Sequence, residues 1–233
     1  MFKKKIMSIA KNLTEIKSQL PTHVTLVAVS KTKPVSGLME AYNAGQRIFG
    51  ENKIQEMTEK WEQMPKDIEW HMIGHVQTNK VKFMAEYVSL IHGVDSMKLL
   101  QEINKQAKKH NRVIDCLLQI HIAEEETKFG LDEEELNHIL TSDDFKSLEN
   151  IRIVGLMGMA TFTENQNQIE KEFNHLKTIF DKLNTIPFTQ NLKPNILSMG
   201  MSGDYQLAIS CGSTMVRIGS SIFGTRNQKN EKI

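Results

Sequence analysis

Apolar residues at Ile9, Leu13, Ile16 and Leu20 recur at helical spacing, and Pro21 then removes a backbone donor and disfavours helix before it. The chain is therefore predicted to open with a helix over 8–20. Residues 24–29, Val-Thr-Leu-Val-Ala-Val, are instead apolar at both parities over a strand's length, which is how a parallel strand buried on both faces reads. Comparable runs recur at 47–49, 69–73, 88–92, 113–122, 151–157, 195–198 and 214–218, making eight with the first. Helical stretches lie between them at 34–43, 52–64, 77–85, 96–110, 132–140, 168–183 and 203–210.

Eight βα units in 233 residues favour an α/β fold of one closed (β/α)8 TIM barrel, with the N-terminal helix as an addition. An open doubly wound sheet is the competing arrangement, and the chain lacks the dinucleotide fingerprint that would support it. No Pro-rich, Ser-rich or low-complexity segment divides the chain, so a single domain over 1–233 is expected, with 227–233 a loose polar tail.

Composition narrows the picture by exclusion. Lys plus Arg number 29 and Asp plus Glu 28, a formal net charge of +1, which leaves no basic excess for neutralising nucleic-acid phosphates. No stretch approaches the roughly 18 apolar residues that cross a bilayer. The apolar segment between Lys5 and Lys11 is too short for the core of a signal peptide. Cys116 and Cys211 stand far apart with no CxxC or Cys/His spacing, so free thiols in a reducing, cytoplasmic setting are expected.

Several residues carry candidate chemistry. Lys31 follows the first apolar run directly, which in a barrel places it at the carboxyl end where loops build the site. A lysine held in a partly desolvated mouth loses proton affinity, and its neutral amine can attack an aldehyde to form a Schiff base. Lys33 has nearly the same local claim, and a solvated strand-end lysine is the plain alternative. Small residues crowd the segments after the seventh and eighth runs, among them Ser198, Ser202, Gly203, Gly219, Ser220 and Ser221. Barrels commonly hold phosphate there: glycines let backbone N–H groups approach an anion, hydroxyls add donors, and a short helix starting near Gly219 turns its positive end inward. Ordinary turn chemistry explains the same residues.

Arg217 stands within the apolar run Met215-Val-Arg-Ile218, and a buried guanidinium needs a specific partner because its charge cannot be shed. Opposite the ring nitrogen of a pyridine cofactor, such a cation disfavours protonation there and weakens the ring as an electron sink. A structural ion pair is the alternative. His71 and His75 share a parity, but Gly74 breaks the strand between them and no carboxylate accompanies them in sequence, so no metal site is expected. The thirteen methionines are read as core fillers.

Taken together, Val27-Ala-Val-Ser-Lys31-Thr-Lys-Pro34, Phe49-Gly-Glu-Asn52, Trp70-His71 with Ile73-Gly74, Gln77-Thr-Asn-Lys80, Gly155-Leu-Met157, Leu197-Ser-Met-Gly-Met-Ser202 and Gly212-Ser-Thr-Met-Val-Arg217-Ile-Gly219 resemble the pyridoxal phosphate homeostasis protein family. The match runs nearly end to end, with Val76 and His121 departing from residues common in the family. The resemblance implies a barrel similar to the N-terminal domain of alanine racemases, binding pyridoxal 5′-phosphate (PLP) as a Schiff base on Lys31. It further implies Arg217 facing the pyridine nitrogen, Asn52 near the ring, and Ser198, Ser202, Gly219 and Ser220 around the phosphate.

By the same resemblance the expected role is a non-catalytic carrier or regulator that keeps vitamin B6 supply, and with it amino-acid and keto-acid pools, in balance. Its partners would be PLP, other B6 vitamers and PLP-dependent apo-enzymes. The alternative is a PLP-dependent amino-acid racemase, which needs a second acid/base group opposite the lysine. In alanine racemases that group is a tyrosine on a second β domain of a partner subunit. This chain is expected to have no such domain, to be a monomer, and to offer only Tyr42, Tyr87 and Tyr205. A sugar-phosphate barrel enzyme without PLP would explain the terminal loops and leave Lys31 and Arg217 as coincidences.

Overall fold

The computed structural model describes residues 8–125, 129–187 and 189–225; the tail expected at 227–233 lies outside the described residues. Eight strands, β1 (Thr25–Val29), β2 (Ile48–Glu51), β3 (Glu69–Met72), β4 (Val88–Val94), β5 (Ile114–Gln119), β6 (Ile151–Met157), β7 (Leu192–Met201) and β8 (Met215–Ile218), pair in sequence order as a closed barrel. Every pairing is parallel, and β8 returns to β1 with Arg217 opposite Val27. The closed α/β barrel expected from the eight apolar runs is the fold.

Around it stand α1 (Ile9–Gln19), α2 (Val35–Asn43), α3 (Ile54–Gln63), α4 (Met97–Lys109), α5 (Glu133–Thr141), α6 (Asp143–Lys146), α7 (Gln166–Leu183), α8 (Tyr205–Ser210) and α9 (Ser220–Phe223). The additional helix α1 starts where the Ser8 hydroxyl accepts from the Lys11 amide. It packs on α2 and α9, and Asn12 donates to the Ile222 carbonyl at 3.0 Å, so it covers the seam where the last strand meets the first. Between β3 and β4 the helix expected over 77–85 is a 3₁₀ turn, Thr78–Phe83, that buries Val81 and has no side-chain cap; a segment this short, with one core anchor, tightens to i→i+3 bonds. β7 runs further in both directions than the expected 195–198, and β5 is shorter than the expected 113–122.

The strand period sorts the apolar runs into two cores. Leu26 and Ala28 of β1, with Val216 and Ile218 of β8, face the helices, whereas Val27 and Met215 face inward with Leu90, Leu117, Val154 and Met157. Arg217, two residues beyond Met215, inherits the inward parity and is 4% exposed. The amino ends of β5 and β6 carry an Asp115–Arg152 pair with bonds of 2.7 and 2.9 Å.

Pairing of β6 with β7 slips in register between Ile153 and Gly155. A Cβ at Gly155 would lie 1.8 Å from the Ile196 carbonyl oxygen, with φ at +155°, so only glycine lets the two strands approach there. Gly155→Ala is expected to destabilise the barrel by about 3 kcal/mol, read as a lowered urea midpoint with unchanged m-value.

Candidate functional site

A cavity of about 750 Å³ opens at the carboxyl ends of the strands. Six of the seven residues singled out from the sequence line it: Lys31, Asn52, Ser202, Arg217, Gly219 and Ser220. Val29, Ile73, Phe129 and Met159 supply apolar wall, and Gln119 and Asp204 add polar groups that sequence reasoning missed. Asn52 reaches the wall because Gly74 lets the end of β3 press on the end of β2: a Cβ on Gly74 would sit 2.5 Å from the Asn52 carbonyl oxygen.

Lys31 lies in a tight turn closed by the Lys33 amide donating to the Ser30 carbonyl at 3.1 Å. Thr32 takes the left-handed conformation there, φ +63°, which a β-branched residue adopts only under constraint. The constraint is visible. The Thr32 amide donates to Glu56 Oε1 at 2.6 Å, and Glu56 also accepts from Lys60 at 2.7 Å. Lys60, 5% exposed on the buried stripe of α3, donates to the Ser30 carbonyl at 2.9 Å and to Glu51 Oε1 at 2.7 Å. The Ser30 hydroxyl donates to the same Glu51 oxygen at 2.6 Å, while Glu51 Oε2 is buried without a hydrogen-bond partner. Burial pushes the Glu51 carboxyl above its ordinary value, against the opposing pull of Lys60 and Ser30. Both residues flanking Lys31 are thus tied to α3 from outside the barrel.

Lys33 lines the same cavity. Its ammonium donates to the carbonyls of Phe223, Gly224 and Thr225 at 3.1, 2.8 and 3.2 Å, which ties the end of α9 to the β1 turn.

Arg217 forms the floor. Its Nη1 donates to the Ser198 carbonyl at 3.0 Å and to the Ser198 hydroxyl at 2.6 Å, and its Nη2 donates to the Gly158 carbonyl at 3.1 Å. Burial lowers its pKa to about 10, with Asp204 opposing, so it remains a cation at neutral pH. Ser198, fully buried, is placed below the floor rather than in the cavity lining, and its hydroxyl also lies 3.2 Å from His92 Nδ1. His92 Nε2 in turn lies 3.1 Å from His71 Nδ1. Burial lowers the His71 pKa to about 3 and holds His92 well below the ordinary value, helped by His71 and Arg217, so both rings are neutral.

At the other end of the cavity Ser202, Gly219 and Ser220 come together, and the Ser202 hydroxyl accepts from the Gly219 amide at 3.2 Å. His71 and His75 do not converge: His71 points into the barrel, whereas His75 sits at the mouth, 3.3 Å from Asp95 and stacked on Phe129. His121 lies near the Glu125 carbonyl at 3.0 Å. Of what sequence reading missed, Glu51, Lys60 and His92 had one usable signal, a charged or polar residue at a position whose period marks it as buried, whereas Glu56, off the buried stripe of α3, had none.

The model of the alanine racemase N-terminal domain matches residues 5–227. The chain is 37% identical to the pyridoxal phosphate homeostasis protein of Haemophilus influenzae, over 95% of its own length and 97% of that protein's, and 40% identical to that of Aquifex aeolicus, over 86% of each. This chain belongs to the pyridoxal phosphate homeostasis protein family. Among solved structures of similar fold, PipY of Synechococcus elongatus with PLP bound superposes with a TM-score of 0.83 at 35% identity, covering 93% of this chain and all (100%) of that one. Alanine racemase of Clostridium difficile shares the fold, with a TM-score of 0.75 at 18% identity, and this chain spans 57% of its length. Among the described residues no helix is long and apolar enough to cross a membrane.

Two outcomes follow from the buried groups. Lys60→Met strands Glu51 and is expected to cost on the order of 3 kcal/mol, whereas adding Glu51→Gln to it restores part of the loss; urea titrations of the single and double variants check this. His71 refuses a proton down to about pH 3 although the unfolded ring accepts one near 6.5, so stability is complete above 6.5 and falls as pH drops below it. The expected slope is about 1.4 kcal/mol per pH unit for each such histidine, and melting temperatures recorded against pH for wild type and His71→Gln measure it.

Proposed function

We propose that this family member holds PLP reversibly in the barrel mouth, as a Schiff base on Lys31, and yields it to competing amines and apo-enzymes rather than turning over a substrate of its own. One observation carries the reading: the amine of Lys31, on a constrained turn, and the permanent cation of Arg217, on the floor, line the same cavity. The donor set suits this cofactor. Ile73, Val29 and Met159 offer apolar surface to an aromatic ring, and Ser202, Gly219 and Ser220 gather at one end as hydroxyl and backbone groups do around phosphates. The names of the relatives, and the PLP bound to PipY, support the same assignment.

When bound, the cofactor supplies an aldehyde that condenses with a primary amine, forming a C=N bond and releasing water, and both hydrolysis and exchange with another amine reverse it. Lys31 must present its amine deprotonated for this, and the turn fixed by Glu56 and Lys60 sets where the amine stands. Arg217 donates from the floor and disfavours a second positive charge nearby, which restrains the ring as an electron sink. That restraint suits holding better than carbanion chemistry.

A racemase needs a second acid/base group opposite the lysine. Beside Lys31, the titratable groups lining the described cavity are Lys33, His75, Asp204 and Arg217. Tyr42 is bonded to Asp67 and Tyr205 to Gln19, and Tyr87 stacks on Trp61, all away from the cavity.

The test is the visible spectrum of protein incubated with PLP, before and after borohydride. The expected result is a visible band in wild type, a borohydride-fixed mass increase mapped to Lys31, its loss in Lys31→Ala and its retention in Lys33→Ala. A wild type that stays colourless overturns the reading, and amino-acid turnover that vanishes in Lys31→Ala overturns the carrier role in favour of catalysis.

A further inference from the structure

Beneath the cavity floor, Arg217, Ser198, His92 and His71 form a buried line of hydrogen bonds drawn from β8, β7, β4 and β3, and its direction can be worked out. A guanidinium carries five N–H donors and no acceptor. Two of Arg217's go to Ser198, on the carbonyl at 3.0 Å and on Oγ at 2.6 Å, and a third goes to Gly158. Ser198 Oγ therefore accepts from Arg217 and must send its single hydrogen elsewhere. Among the described residues the other group within reach is His92 Nδ1, at 3.2 Å.

His92 thus uses Nδ1 as acceptor, and as a neutral ring it carries its proton on Nε2. That proton points at His71 Nδ1, 3.1 Å away, so His71 also accepts at Nδ1 and carries its proton on Nε2. Reversing the line would make Ser198 Oγ accept from both Arg217 and His92 and leave the hydroxyl hydrogen buried without an acceptor, a cost of about 1–3 kcal/mol. Protonating either ring is opposed by its burial and by the other ring and Arg217 nearby.

We propose that His92, acting through Ser198, is a positioning residue for the floor of the site: by drawing off the Ser198 hydrogen it anchors Arg217 Nη1 and turns Nε–H and the second Nη2 hydrogen toward the cavity. The floor then selects a ligand ring that presents a lone pair there, in an orientation set by four strands rather than by one side chain. The ligand half of this rests on the PLP reading; the tautomer half does not.

The test has two arms. Long-range ¹H–¹⁵N correlation spectra of the full labelled chain, with the rings assigned through His71→Gln and His92→Asn, read the tautomers directly. The expected result is two neutral Nε2–H rings at neutral pH, and a charged ring or an Nδ1–H ring at either position overturns the proposal. In the second arm PLP is titrated into wild type, His92→Phe and His92→Asn of matched thermal stability. His92→Phe, which has no acceptor, is expected to bind about tenfold more weakly, with a displaced absorption maximum but still trapped on Lys31 by borohydride. His92→Asn, whose amide oxygen can stand where Nδ1 stood, is expected to recover both affinity and maximum. Equal binding by His92→Phe and wild type sinks the positioning role while leaving the cofactor assignment intact. No binding by wild type sinks the ligand half, with the tautomer spectra still deciding the rest. Should His92→Phe not fold, Ser198→Ala replaces it with the same expected weakening.

Discussion

A guanidinium keeps its proton at any pH this protein meets, so burying Arg217 inside the barrel commits the strands around it to supplying acceptors. Its acceptors are the backbone carbonyls of Gly158 and Ser198 and the Ser198 hydroxyl. Gly158 lies just past the end of β6, and the Ser198 carbonyl receives both the Gly158 amide at 3.1 Å and Arg217. Register shifts occur in each pairing from β3 to β8, and two of them involve these strands: β6 slips against β7 at Gly155, and β7 against β8 between Ser198 and Met201. A regular parallel ladder uses its carbonyls between strands, so a barrel with a cation in its lumen needs places where the ladder yields. Gly155, whose Cβ would meet the Ile196 carbonyl oxygen, stands at one of them.

A second set of buried charges lies on the opposite side of the same sheet. Glu51 and Lys60 pack outside the barrel, beneath the helices, and through Ser30 and Glu56 they hold the turn that presents Lys31. Buried ion pairs contribute little net stability, and breaking one by removing a single partner is costly. Their use here is positional. Lys31 and Arg217 approach the cavity from one strand pair, β1 and β8, yet one is aimed from the helix layer and the other from the lumen. Because the two networks share no residue, either can be perturbed without releasing the other.

The architecture was legible in the chain because parallel barrel strands are apolar on both faces, so each announced itself as a short continuous run, and the spacing of the runs left one compact way to close them. What failed at 77–85 failed for length: a six-residue segment with one buried anchor has too little periodicity to separate a 3₁₀ turn from an α-helix. Lys31 and Arg217 were legible because each breaks a local rule, a lysine at a strand's carboxyl end and an arginine inside an apolar run. Lys31 could not be told from Lys33 in sequence, since the bonds of Lys33 reach the carbonyls at the end of α9, nearly two hundred residues on in the chain. Ser198 illustrates the opposite limit. Its motif marks it as a site residue, but strand parity turns it into the lumen two residues before Gly200, so it serves the site from below through Arg217.

Rigidity and exposure are divided across the site in a way that bears on holding and releasing. The floor is fully buried and cross-bonded between β3, β4, β7 and β8, and the Lys31 turn is pinned at both flanks, so the groups that would orient a ligand need little reorganisation when one arrives. The rim is different: Phe162 is 92% exposed and Phe129 56%, both on loops that follow barrel strands. Groups that leave their apolar surface in water are not committed to covering what lies beneath. On the reading proposed above, a covalent but hydrolysable link at Lys31 would supply retention, while the exposed rim would leave a route for water and competing amines to reverse it. An enzyme that had to protect a reactive carbanion from water would require the reverse arrangement, a closed rim over a floor that stabilises added charge. On the proposed reading the open rim runs against the first of those needs, and Arg217, by disfavouring a proton on the nitrogen of a ligand ring, would leave that ring a weaker electron sink than a protonated one.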